Sequence, residues 1–175
     1  MSEEPGTAAK ARLLVVDDEP IALKNLQRVL EKEGYAVTTA SNGQAALRLL
    51  RQKGFDLVLT DLRMEKVDGM EVLRRSREID PDVEVILITG YASIDTAIAA
   101  MKEGAYHYLA KPFKLDEVRK VVAEAAEKVA LKRENRRLRE SVDGLRDRVD
   151  IVTQDPGMLA VLDTARDVTG TDCNI

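Results

Sequence analysis

The chain has 175 residues, 45% of them hydrophobic, and carries a formal net charge of −4. This length is enough for one packed domain and an appendage, and the mildly acidic balance gives no global attraction to nucleic acid. A single cysteine excludes an intrachain disulfide, and no apolar run approaches the length of a membrane span, so we expect a cytoplasmic protein. Residues 1–10 are small and polar, lack the apolar core of a signal peptide, and are predicted to be a flexible N-terminus.

Five short apolar runs alternate with helical patterns over residues 11–127. The predicted strands are residues 13–16, 35–40, 83–88 and 106–110, with strand three in the stretch 55–64, where the apolar run 57–59 leads to Asp61 at the carboxyl end. Alternation of this kind predicts an α/β fold with a parallel sheet and helices on both faces. Strands one, three and four have the continuous apolar runs of buried strands, whereas strands two and five are more mixed and predict edge positions. This pattern fits the flavodoxin-like, doubly wound order 2-1-3-4-5.

Local signals mark several helix boundaries. Pro20 suits the first turn of a helix, where its missing N–H costs nothing. Asn42 and Ser93 are predicted N-caps, while Gly34 and Gly104 are predicted helix stops.

Polar side chains follow four of the predicted strands at their carboxyl ends. They are Asp17 and Asp18 after strand one, Asp61 after strand three, Thr89 after strand four and Lys111 after strand five. Ligands of an open α/β sheet bind just beyond these ends, so the five side chains should gather at one edge. Clustered carboxylates repel one another unless a cation lies among them, and Mg²⁺ prefers oxygen ligands. The sequence therefore predicts Asp61 as a phosphate acceptor beside a Mg²⁺ site.

Each of these signals alone has a simpler structural interpretation. An Asp-Asp pair before a helix commonly serves as a cap that also complements the helix dipole. The function is favoured because four independent strand ends carry the pattern together.

As a set, the motifs resemble the receiver domain of two-component response regulators. The motifs are Asp17-Asp18, Asp61, Thr89-Gly90 and Lys111-Pro112-Phe113, and the receiver is predicted to span residues 11–127. The resemblance implies that a cognate sensor histidine kinase transfers a phosphoryl group to Asp61.

The resemblance also implies roles for the neighbouring residues. Asp18, Asp61 and the backbone carbonyl of Arg63 would bind Mg²⁺ directly, and Asp17 would act largely through water. Lys111 would hold a phosphoryl oxygen.

Two further features follow from the resemblance. Thr89 and Tyr108 match the switch pair of the family. The Lys111–Pro112 peptide bond matches one that is typically cis.

Residues 128–150 are predicted to form a helical coiled-coil linker. Two seven-residue series support this prediction, one of Leu131, Leu138 and Leu145 and one of Asn135, Val142 and Val149. The alternative is a single solvated helix. A coil would make the chain a homodimer, with help from the face formed by helix four, strand five and helix five.

A basic cluster overlaps this linker. It consists of Lys132, Arg133, Arg136, Arg137 and Arg139. The cluster could touch DNA as in a basic zipper, but the interleaved Glu134 and Glu140 favour ordinary charges on the outer face of the coil.

Residues 151–175 resemble the entry to the AAA+ ATPase domain of sigma-54-dependent activators of the nitrogen-regulatory type. The chain ends before the expected G-x-x-x-x-G-K-[ST] loop. We therefore expect a truncated transcription activator whose missing segments bind ATP, sigma-54 polymerase and DNA, and no ATPase activity from these residues.

Two alternative functions remain. A haloacid-dehalogenase-like phosphatase also uses an aspartyl phosphate, but it needs an acid two residues after the nucleophile, where this chain has Arg63. A flavodoxin-like nucleotide site would need a phosphate-binding loop, and the strand ends here are poor in glycine. A phosphorylation-driven regulatory module, rather than an enzyme, is favoured.

Overall fold

The computed structural model describes residues 9–90 and 93–146, and of residues 142–146 it describes the backbone alone. The strands are β1 (Arg12–Val16), β2 (Ala36–Ala40), β3 (Leu57–Asp61), β4 (Glu84–Thr89) and β5 (His107–Ala110). The helices are α1 (Pro20–Lys32), α2 (Gly43–Gln52), α3 (Gly69–Ile79), α4 (Ile94–Lys102) and α5 (Leu115–Arg146). No helix in the described ranges is both long and apolar enough to cross a membrane.

All five strands are parallel and lie in the order β2-β1-β3-β4-β5, which confirms the predicted fold and the two edge strands. Every residue of β3 and β4 is buried, as expected for inner strands covered on both faces. The predicted bounds differ by one residue in places. For example, β4 runs on to Thr89 because Thr89 pairs with Ala110 of β5.

Two apolar layers cover the sheet because successive side chains of a strand point to opposite faces. On one face, Leu13, Leu57 and Ile86 pack with residues of α1 and α5. On the other face, Leu14, Val58 and Leu87 pack with residues of α2, α3 and α4. The sheet is thus held rigidly from both sides, and the carboxyl ends of its strands have fixed positions.

The local signals act as predicted. Pro20 lies in the first turn of α1. The side chains of Asn42 and Ser93 accept hydrogen bonds from the backbone N–H groups of Ala45 and Thr96. Gly34 and Gly104 follow α1 and α4 at φ +89 and +90, which suits glycine.

Helix α5 is 32 residues long and continuous through the predicted boundary between receiver and linker. One compact unit runs to Asn135, and a second begins at Arg136. Leu131 and Leu138 are 59% and 60% exposed, so the coiled coil stays a prediction. Residues 1–8 of the predicted flexible N-terminus, residues 147–150 of the linker and the ATPase entry at 151–175 lie outside the described residues.

Candidate functional site

Three carboxylates meet at the carboxyl edge of the sheet. Oxygens of Asp17, Asp18 and Asp61 all lie within 4.8 Å of one another. Asp17 is 1% exposed and Asp61 is 9% exposed, whereas Asp18 is exposed. The sequence thus predicted correctly that strands β1 and β3 bring these side chains together.

Lys111 lies between two of these carboxylates. Its Nζ donates hydrogen bonds to Asp17 Oδ2 at 2.9 Å and to Asp61 Oδ2 at 2.8 Å. Burial disfavours the charged ammonium, but the hydrogen bonds to Asp61 and Asp17 outweigh this, and the pKa of Lys111 is raised. Lys111 is therefore a cation at neutral pH and offsets part of the negative charge.

Backbone N–H groups orient the two buried acids. Asp17 Oδ1 accepts a hydrogen bond from the Glu19 N–H at 2.9 Å, and Asp61 Oδ1 accepts one from the Arg63 N–H at 3.1 Å. In each of these two carboxylates, one oxygen therefore accepts a hydrogen bond from a backbone N–H and the other accepts one from Lys111. The capping role considered for Asp17 is not found, because the N-cap of α1 is Glu19 and no side-chain capping hydrogen bond is present there.

Gly69 allows the start of α3 to approach Asp61 closely. A Cβ on Gly69 would lie 2.3 Å from the backbone oxygen of Asp61 and 2.8 Å from the Cα of Leu62. Any side chain here would push α3 away from the end of β3. The preceding residue, Asp68, caps α3 by accepting a hydrogen bond from the Glu71 N–H. Sequence reasoning missed this close contact.

Thr89 and Tyr108 lie on the neighbouring strands β4 and β5. Thr89 is fully buried at the end of β4, one residue beyond Ile88, which pairs with Asp61. The hydroxyls of Tyr108 and Thr96 are hydrogen-bonded at 2.9 Å. Thr96 also belongs to the capping box of α4, in which it exchanges hydrogen bonds with Ser93. The sequence predicted Thr89 and Tyr108 but missed Thr96, because a threonine inside an apolar helical pattern carries no distinguishing signal.

A groove of about 580 Å³ opens beside the carboxylates. It is lined by Asp18, Leu62, Arg63, Met64, Glu65, Asp68, Met70 and Thr96. Of the three clustered carboxylates, Asp18 is the one that lines this groove. The Lys111–Pro112 peptide bond that follows β5 is cis, as the resemblance implied.

The donor chemistry of this edge fits a hard divalent cation. The three carboxylates supply oxygen ligands of the kind that Mg²⁺ prefers, and Asp18 is open to solvent for the waters that Mg²⁺ retains. The residues present therefore fit the predicted metal.

One expectation about the basic cluster is wrong. Lys132 and Arg133 are not solvated charges on the outer face of a coil, since Lys132 Nζ lies 2.6 Å from Glu84 Oε1 and Arg133 pairs with Asp56. Both acids are buried at the amino edge of the sheet. The sequence could not indicate these pairs, because 48 and 77 residues separate the partners.

Comparison with known proteins gives concordant matches. The family described as "Response regulator receiver domain" matches residues 13–123. The alginate biosynthesis transcriptional regulatory protein AlgB of Pseudomonas aeruginosa is 38% identical over 173 residues, which cover 98% of this chain and 38% of AlgB. The chain thus spans well under half the length of that relative.

Two solved structures match the fold. A response regulator receiver domain protein from Clostridium thermocellum is 39% identical at a TM-score of 0.66, covering 69% of this chain and 98% of that one. The beryllofluoride-activated NtrC4 receiver domain dimer is 37% identical at a TM-score of 0.64, covering 67% and 98%. These matches confirm the predicted resemblance to regulators of the nitrogen-regulatory type. With five parallel strands in the receiver order and three carboxylates at their ends, the chain belongs to the family of response regulator receiver domains.

Proposed function

We propose that this chain is a phosphorylation-driven switch in which Asp61 accepts a phosphoryl group from a sensor histidine kinase. The observation that carries the proposal is the buried Asp61 carboxylate, which is hydrogen-bonded to Lys111 and clustered with Asp17 and with Asp18, a residue that lines an open groove. The regulators of this family work with kinases in the cytoplasm, and we propose the same location here.

The transfer needs no proton from the receiver. An Asp61 carboxylate oxygen attacks phosphorus, and the P–N bond of the kinase phosphohistidine breaks with its electron pair left on the imidazole nitrogen. The product is an acyl phosphate on Asp61. Lys111, charged because its pKa is raised, neutralises oxygen charge on the transferred group.

We propose that Mg²⁺ is held by Asp18, Asp61 and the backbone carbonyl of Arg63, with Asp17 acting through water. The bound ion would neutralise the phosphoryl oxygens as they approach the carboxylates. The chain's own part is to hold the acids: hydrogen bonds from Glu19 N–H and Arg63 N–H keep Asp17 and Asp61 oriented.

The switch would act through Thr89 and Tyr108. The Thr89 hydroxyl would donate to the phosphoryl group, and Tyr108 would move into the space that Thr89 leaves. The hydrogen bond between Tyr108 and Thr96 supports this route, because moving Tyr108 breaks a contact with the capping box of α4. Loss of one such bond is worth about 1 kcal/mol, a bias of roughly fivefold on the position of α4.

We propose that the chain forms a homodimer through the linker coil and the face formed by α4, β5 and α5. Ile94, Ile98 and Met101 of α4 are 80%, 47% and 51% exposed, an unusual amount of apolar surface for one short helix. The related NtrC4 receiver domain is a dimer. Phosphorylation would change this contact and so alter the oligomer of an attached sigma-54-dependent activator, whose other segments would bind ATP, the polymerase and DNA.

Labelling with a small phosphodonor tests the acceptor. Acetyl phosphate and Mg²⁺ should add one phosphoryl group to the parent, seen by intact mass, and none to Asp61→Asn. Asp116→Asn, which removes an exposed carboxylate of α5, is the matched control and should label normally. Chelation of Mg²⁺ should abolish labelling of the parent. Undiminished labelling of Asp61→Asn would refute the assignment.

The switch residues need a separate test. Thr89→Ala and Lys111→Ala should remain folded but lose the change in amide exchange around Tyr108 that labelling produces in the parent. A normal response in both variants would remove these residues from the switch.

The dimer is tested by sedimentation. Leu138→Glu would place two like charges in the seam of the coil and should give monomers that still accept phosphate. A monomeric parent at micromolar concentration, labelled or not, would contradict the coil. If the Leu138→Glu variant is still a dimer, the interface lies between the receiver domains and not in the coil.

A further inference from the structure

The amino edge of the sheet, opposite to Asp61, holds two buried acids. Asp56 directly precedes β3 and is 6% exposed, and Glu84 begins β4 and is 1% exposed. Neither belongs to the phosphoryl site, and neither can face water. Buried carboxylates are costly unless cations and hydrogen bonds meet them.

Most of the opposing charge comes from α5 beyond residue 127. Glu84 Oε1 lies 2.6 Å from Lys132 Nζ and 3.0 Å from Lys128 Nζ. Arg133 pairs with Asp56 Oδ1, and its second amino group lies 3.4 Å from Asp80 Oδ2. The other oxygen of Asp56 accepts a hydrogen bond from the backbone N–H of Arg12.

These cations continue the packed face of α5. Helical residues advance by about 100° each, so Lys132 and Arg133 lie within about 60° of the fully buried Val118 when viewed down the axis. Leu131 is rotated about 200° from Val129 on the same projection, so it lies on the opposite side of the helix. Val129, which is 2% exposed, is the last buried apolar residue of α5 among the described residues. Beyond it, Lys132 and Arg133 attach the helix through ion pairs.

We infer that Asp56 and Glu84, with Lys128, Lys132 and Arg133, form an ion-pair clamp that makes residues 128–135 of α5 a rigid extension of the receiver. Arg133 keeps 25% of its side chain exposed and Lys132 34%, so the cations remain partly hydrated while the acids do not. The compact unit that contains the receiver also runs to Asn135.

The clamp fixes the rotation of the helix as well as its attachment. With Lys132 and Arg133 held on the sheet side, Leu131 is turned outward and is 59% exposed. The clamp is independent of phosphorylation, because its residues lie at the opposite edge from Asp61. The first leucine of the predicted coil is therefore presented in one fixed orientation, whichever state Asp61 is in.

Amide hydrogen exchange on the 175-residue chain tests the clamp. In Arg133→Ala and in Glu84→Gln, exchange at residues 128–135 should rise at least about tenfold over the parent, with a smaller rise in β1, β3 and β4. Arg137→Ala, four residues along the helix and exposed, is the matched control and should leave residues 128–135 protected. Labelling of Asp61 by acetyl phosphate should be unchanged in every variant.

Two results would overturn the inference. One is exchange in Arg133→Ala equal to that in Arg137→Ala. The other is an even rise throughout the chain with no excess at 128–135, which would make the ion pairs supports of the whole fold. If Arg133→Ala does not fold, Lys132→Met takes its place, since methionine keeps the aliphatic stem but not the charge. Its amide exchange is compared with that of Arg137→Ala, and the same two results would overturn the inference.

Discussion

The two edges of the sheet carry similar residues in different proportions. At the carboxyl edge, Asp17, Asp18 and Asp61 lie together, and one ammonium group, that of Lys111, pairs with Asp17 and Asp61. At the amino edge, the acids Asp56, Asp80 and Glu84 face the cations Arg12, Lys128, Lys132 and Arg133. Negative charge is left over at the first edge among these described residues, and none is left over at the second.

This difference separates the proposed metal site from the cluster that we infer to support the fold. Uncompensated carboxylates repel one another and a cation relieves that repulsion, which is the reason for proposing a metal at the carboxyl edge. Compensated buried carboxylates bind nothing further, and removing one partner leaves an unpaired charge. The balance of charge, rather than the presence of acids, distinguishes the two edges.

The largest expected effect is at the compensated edge. Asp56→Ala removes the buried acid that pairs with Arg133 and leaves the Arg12 N–H without its acceptor, and should lower the free energy of unfolding by about 3 kcal/mol. Urea denaturation measures this loss. Asp116→Ala, which removes an exposed acid of an i,i+3 pair, should cost under about 1 kcal/mol. Equal losses in the two variants would contradict the importance of burial at the amino edge.

The second effect is ligand stabilisation at the uncompensated edge. Mg²⁺ at a hundredfold excess over its dissociation constant should raise the free energy of unfolding of the parent by about 2.7 kcal/mol. The same increment should appear in Asp56→Ala, because distant sites act additively. Parallel urea titrations with Mg²⁺ and with a chelator measure both increments. An increment that vanishes in Asp56→Ala would show that the edges are coupled.

The sequence predicted one edge well and the other not at all. Asp17, Asp61 and Lys111 follow apolar runs at strand ends, and parallel topology alone brings such residues together. The strand order was also predictable, because the continuous apolar runs of β1, β3 and β4 are typical of inner strands, whereas the mixed sequences of β2 and β5 are typical of edge strands.

The amino edge depends on contacts that no local pattern encodes. Arg133 reaches Asp56 because α5 continues past its packed valines. A basic residue in a seven-residue repeat is typical of a solvated coil position, and that expectation was wrong here. Thr96 and Gly69 were missed similarly, because their importance lies in what touches them: the Tyr108 hydroxyl and the backbone of Asp61.

A third effect concerns pH. The pKa of Lys111 is raised above 10.5 in the folded chain, since hydrogen bonds to Asp61 and Asp17 outweigh burial. Its stabilising contribution is therefore complete below about pH 10.5 and is lost as the pH rises through the folded value. The stability difference between the parent and Lys111→Gln, about 1 kcal/mol at neutral pH, should shrink in strongly alkaline solution.

Urea denaturation at several pH values measures this difference. Lys24→Gln, an exposed lysine of α1, controls for the general effect of alkaline pH. A difference that grows with pH would mean that Lys111 opposes folding in its charged form.

The smallest expected effect is a stabilisation, in contrast to the destabilisation by Asp56→Ala, and it tests the difference in charge balance between the two edges most directly. Asp18→Asn removes the exposed member of three mutually repelling carboxylates and, without Mg²⁺, should raise the free energy of unfolding by about 0.5 kcal/mol. Salt at 1 M should reduce the gain, because screening is then effective within about 3 Å. Saturating Mg²⁺ should reverse it, since the variant has lost a ligand. Glu127→Gln removes another exposed negative charge, on α5 and outside the group of Asp17, Asp18 and Asp61, and corrects for the overall charge of −4. If Asp18→Asn destabilises the metal-free chain, Asp18 is already compensated, and the carboxyl edge is a structural cluster like the amino edge.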